Sequence, residues 1–123
     1  MEKRNIIKWS EYSEYTKLTI PNGEIWMSES ELVDLFGVFI PKLRNAIKGL
    51  YKEQLVKPYE TERTIKKRGN LYVTVYNMEV VLLLALRLNT YQARAVRKEL
   101  MERISRDHKP FEVILTALSD TGN

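Results

Sequence analysis

The chain of 123 residues contains no cysteine. Disulfides, thiolate nucleophiles and zinc–thiolate sites are thereby excluded, and the composition suits a reducing compartment such as the cytoplasm. It has one histidine, His108, set in the charged segment Arg106-Asp107-His108-Lys109. A single histidine outside any ligand cluster offers neither a metal site nor a general base with a partner. No Gly-rich phosphate loop and no nucleophile elbow is present. Glu29 and Glu31 stand where a helix's first turn favours acids for its dipole, so they are not read as a catalytic pair. An enzyme, a cofactor and a metal are therefore not expected.

Long apolar runs are also lacking. The most apolar stretch, residues 80–86, is far too short to cross a bilayer, and residues 1–8 carry charges without an apolar signal region. No internal repeat or low-complexity tract occurs. Glycine and proline are sparse, five and four in all.

What is present is 44% hydrophobic and 29% charged residues, the balance of one soluble domain with a sizeable core. Residues 1–17 are expected to be an N-terminal arm or a short helix, 18–109 the core, and 110–123 a C-terminal helix and polar tail. The net charge is +4, but its distribution says more than its size. Between residues 42 and 70 nine basic residues stand against three acidic ones, a surplus of six. Clustering of that kind points to a polyanionic partner.

The most informative stretch is Met27-Ser-Glu-Ser-Glu-Leu-Val-Asp-Leu-Phe-Gly-Val-Phe-Ile-Pro-Lys-Leu-Arg-Asn-Ala-Ile-Lys-Gly-Leu-Tyr51. Ser28 followed three residues later by Glu31 predicts a capping box. Leu32, Leu35 and Phe36 then form an apolar stripe at helical spacing. Gly37 falls where the chain must turn, because only glycine enters positive φ without steric cost. Pro41 suits the first turn of a second helix, which buries Leu43, Ile47 and Leu50 and leaves Lys42, Arg44, Asn45 and Lys48 outside. A helix, a glycine turn and a basic second helix make a helix-turn-helix pattern, although an ordinary basic helical hairpin has the same spacing.

Two hairpins are expected around it. Asn22-Gly23 between Leu18-Thr-Ile20 and Ile25-Trp-Met27 is a two-residue turn signal. Residues 59–65 and 71–76 form a second pair. Leu71, Val73 and Val75 alternate there with Tyr72, Thr74 and Tyr76, and the tip is Lys66-Lys67-Arg68-Gly69-Asn70. Three cations at a glycine turn have no core role. They are either solvated or a phosphate contact resembling the wing of a winged-helix module. Asn77 is expected to cap a nearly all-apolar helix over 78–88. An amphipathic helix from Tyr91 to about Ser105 follows, with Ala93, Val96, Leu100 and Ile104 buried and Arg94, Arg97, Lys98 and Arg103 solvated. Pro110 opens a last short helix, which either packs on the body or forms half of a homodimer contact.

From about Ile25 to Ile104 the chain resembles the N-terminal region of the RhuM family. The residues that carry the likeness are Ile25-Trp-Met-Ser-Glu29, Leu35-Phe-Gly-Val38, Val75-Tyr-Asn-Met-Glu79 with its apolar run, and Arg87-Leu-Asn89. The resemblance implies a winged-helix-like scaffold, association with mobile elements or transcription regulation, and kinship with phage antirepressor-type domains. Family members usually carry small polar and basic residues just after the Gly-Val turn. This chain has Phe39-Ile40-Pro41 there, and that departure weakens the transfer of a base-reading role.

The expectation is an α+β, winged-helix-like helix-turn-helix domain with two β-hairpins and additional C-terminal helices. Lys42, Arg44, Asn45 and Lys48 would face double-stranded DNA, with Lys66, Lys67 and Arg68 on its phosphates. The alternative is a protein-interaction module of antirepressor type that uses Phe39, Ile40 or the C-terminal helix.

Overall fold

The computed structural model describes residues 4–106. His108 and the helix expected from Pro110 lie outside them. The described chain is mixed α+β, with five helices and two small antiparallel sheets. In order the elements are β1 (Lys8–Glu11), β2 (Thr16–Thr19), β3 (Trp26–Ser28), α1 (Glu29–Phe36), α2 (Ile40–Lys52), α3 (Pro58–Thr61), β4 (Glu62–Arg68), β5 (Leu71–Asn77), α4 (Met78–Arg87) and α5 (Tyr91–Arg106).

The helix pair forms for the reasons its residues suggest. Ser28 accepts from the Glu31 amide while the Glu31 carboxylate accepts from the Ser28 amide, which completes the capping box. Gly37 ends α1 at φ +61°, and its amide donates to the Val33 carbonyl at 2.9 Å. Three residues, Gly37, Val38 and Phe39, separate the helices, a length common in helix-turn-helix units. Thr90 fixes this corner from outside. Its hydroxyl donates to the Phe36 carbonyl at 2.6 Å and accepts from the Ala93 amide at 3.0 Å, capping α5.

The larger sheet has the order β3-β5-β4, with β5 central. Asn77 ends β5 and caps α4 by accepting from the Val80 amide. In α4, Val80, Val81, Leu82, Leu83, Leu84 and Ala85 are all buried, so it runs through the core instead of over it. Helices α1, α2 and α5 each contribute a buried stripe to one continuous cluster around it.

The N-terminal third departs from expectation. Asn22-Gly23 does not join a hairpin. β2 pairs with β1, Trp9 facing Leu18, whereas β3 pairs with β5, Met27 facing Tyr76. Residues 22–23 still turn the chain, with Gly23 at φ +99°, but they pass it from one sheet to the other. The Asn5 side chain fills the space beside Gly23 and donates to the Glu24 carbonyl at 3.3 Å. The arm expected over 1–17 is therefore partly a strand. Extended backbone exposes N–H and C=O groups that need partners, and β2 found them in β1. The second hairpin forms with two differences: residues 59–61 belong to the single turn α3, so β4 begins at Glu62, and Lys66, Lys67 and Arg68, expected at the tip, lie in β4 and leave Gly69-Asn70 as the turn.

Candidate nucleic-acid interface

Helical periodicity sorts the exposed residues of α2 onto two flanks. At about 100° per residue, Arg44, Lys48 and Tyr51 stand one above another. They line one wall of an open groove of about 500 Å³, which Asn45, Glu29 at the start of α1 and Tyr76 on β5 complete. Lys42 does not belong to it. It lies roughly 120–160° around the helix from Lys48 and Arg44, so the expectation that all four polar residues share one face is corrected. On that other flank Gly49 approaches Arg87, whose guanidinium pairs with Glu53.

The β4–β5 hairpin meets the groove at Tyr76. Side chains of directly paired residues share a sheet face, and alternate residues along a strand repeat it. Tyr76 lines the groove, so its partner Glu62, the pair Thr64–Thr74 and the pair Lys66–Tyr72 all lie on the groove's side. From Tyr76 to Tyr72 is about 13 Å at ~3.3 Å per residue. Lys67 falls in a bulge, and Arg68 is paired with Leu71, on the opposite face. The tip thus presents Lys66 towards the groove side and Arg68 away from it.

The angle between α2 and the hairpin is held by the last turn of the helix. The Tyr51 hydroxyl and Thr61 Oγ1 share a hydrogen bond of 3.3 Å, and Thr61, fully buried, also donates to the Lys57 carbonyl at 2.9 Å. Burial and the neighbouring Glu62 carboxylate push the Tyr51 hydroxyl far above its ordinary range. Burial, with the Glu62 and Glu29 carboxylates, pushes Tyr76 up to about 12. Both phenols are neutral at physiological pH.

Arg44 is not a free cation. Its Nε and Nη2 each donate to the Glu29 carboxylate at 3.0 Å, which raises its already high pKa further. Arg63, counted among the clustered positive charges, stacks over the Trp26 ring at 4.1 Å from the centroid. Arg97, expected on a solvated face, donates to the Ala85 and Leu88 carbonyls at 3.0 and 3.1 Å and closes the C-terminal end of α4.

Sequence reading missed Glu29, Tyr51, Tyr76 and Tyr72. The spacing of Tyr51 from Arg44, at i+7, was a signal for the first wall. Nothing local marked the sheet residues, because their inclusion depends on strand register.

At the turn between α1 and α2, Phe39 is 86% exposed and Ile40 40% exposed. Among the described residues there is no cluster of three or more His, Cys, Asp or Glu side chains able to hold a metal, and no helix is long and apolar enough to cross a membrane. No protein-family model, curated protein or solved structure matches the chain.

Proposed function

We propose that the chain is a winged-helix-like DNA-binding protein of transcription-regulator or mobile-element type. α2 would enter the major groove of double-stranded DNA, with Arg44, Asn45 and Lys48 at base edges and backbone. The hairpin would act as the wing, with Lys66 on phosphates beside α2 and Lys67 in the bulge next to it. One observation carries this reading: the α2 flank that bears Arg44 and Lys48 packs on the sheet side where strand register puts Lys66. The three-residue turn, and the hairpin whose central strand pairs with the strand before α1, support the same scaffold.

The experiment is a fluorescence-anisotropy titration of the full chain on mixed-sequence duplexes at two salt concentrations. Log affinity is expected to fall with log salt by about 0.9 for each phosphate contact. No duplex binding at low salt would end the reading.

A second reading rests on Phe39. Its exposure, continuous with Ile40, suits an apolar contact with a protein such as a repressor, in the manner of an antirepressor. Phe39→Ser separates the two, since it would abolish a protein contact centred there and leave the salt dependence of duplex binding in place.

A further inference from the structure

Glu29 takes two of the five N–H groups of Arg44, the one on Nε and one on Nη2. That contact uses the side edge of the guanidinium. The end edge, between Nη1 and Nη2, keeps two parallel donors, and the Arg44 side chain is 61% exposed. Arg44 is therefore held in the plane of a two-point contact while its second fork faces outward.

The same carboxylate also sets what that fork can accept. A phosphate there would bring a formal negative charge to within several ångströms of the Glu29 carboxylate. A neutral edge with two acceptors meets no such repulsion. In the major groove only guanine presents two adjacent acceptors, O6 and N7.

We infer that Glu29 is a positioning residue, and that the Glu29–Arg44 pair reads a guanine in the major groove instead of gripping a phosphate. The inference rests on the DNA-binding reading above and deepens it. Arg44 lies in the first half of α2, the part of such a helix that meets base edges, and Asn45 and Lys48 beside it have no carboxylate partner among the described residues. The assignment therefore gives Arg44 the sequence contact and leaves phosphate contacts to lysines.

The test begins with selection of preferred duplexes by the full chain, followed by titration of the best site and of the same site with each guanine replaced by 7-deazaguanine or adenine. One guanine is expected whose replacement costs the wild type about tenfold in affinity. Glu29→Gln and Arg44→Lys should each reduce that discrimination severalfold. Circular dichroism should show both variants folded, and the ratio of each variant's affinities for the site with and without the guanine separates lost guanine reading from a general loss of affinity.

If Glu29→Gln instead raises affinity for every duplex, with an unchanged guanine preference, the carboxylate merely repels DNA and the inference is overturned. A selected site whose guanines are insensitive to Arg44→Lys overturns it too, while the DNA-binding reading stands. Failure of the wild type to bind any duplex at low salt removes that reading itself and the inference with it.

Discussion

The indole Nε1 of Trp9 donates to the main-chain carbonyl of Leu35 at 2.9 Å. This bond fastens the β1–β2 sheet to the last turn of α1, where carbonyls have no partner within the helix. Trp9→Phe keeps most of the ring's packing and removes the donor. It should lower stability by about 1 kcal/mol, the usual net worth of such a bond. In urea denaturation the midpoint should fall while the slope stays constant.

The C-terminal ends of α1 and α2 predict opposite effects. Gly37, at φ +61°, closes α1, and a Cβ there would lie 2.5 Å from the Gln92 side chain. That side chain can swing away, but the backbone cost remains, so Gly37→Ala should destabilise by about 1–2 kcal/mol. Gln54, at φ 59°, follows α2 in the same left-handed region without being glycine. Gln54→Gly relieves that strain and should raise the melting temperature slightly, the gain being offset in part by the larger entropy of an unfolded glycine. Thermal melts of both variants beside the wild type check the signs.

Acid should weaken the start of α1. Burial alone would raise the Glu31 pKa. The Arg4 side chain, with the Ser28 amide and hydroxyl, outweighs it and holds the carboxyl below its ordinary value of 4.5. Arg4 grips both carboxylate oxygens, at 2.6 and 2.9 Å. A carboxylate with a depressed folded pKa stabilises fully above its unfolded pKa and loses that contribution as pH falls through the folded one. Glu31→Gln should therefore be less stable than the wild type near neutral pH, by under about 1 kcal/mol because the pair is partly solvated. The gap should narrow as pH falls below the ordinary carboxylate range. Urea midpoints measured across the acid range would show the convergence, and parallel curves would remove the ion pair from the account.

Removing the cations of the hairpin tip tests the wing. Replacing Lys66, Lys67 and Arg68 together by alanine should weaken binding to all duplexes by a similar factor. It should also flatten the salt slope by about 0.9 for each phosphate that is no longer neutralised. All three side chains are exposed, so folding should be unaffected. Unchanged binding and an unchanged slope would exclude the hairpin from the interface.

Residues that act on their own backbone neighbours were legible in the sequence. Ser28 with Glu31, Gly37 and Asn77 set helix ends within three or four residues. The stripes Leu43–Ile47–Leu50 and Ala93–Val96–Leu100–Ile104 are buried as their spacing requires. The α+β character and the basic hairpin tip follow from the same short-range physics, capping, φ preference and periodicity.

Partner choice was decided by the tertiary structure. Asn22-Gly23 specifies a turn, but whether its flanking strands join each other depends on the open edges the rest of the chain provides, and here those are β1 and β5. Arg44 and Glu29, fifteen positions apart, become a pair only because the Gly37 corner folds α2 beside the start of α1. Arg63 settles on Trp26 because both strands pair with β5, and Arg97 settles on the end of α4 because α5 packs beside it. A charge in a sequence has a sign and no address, because Coulomb and hydrogen-bond energies depend on distances that only the folded chain sets.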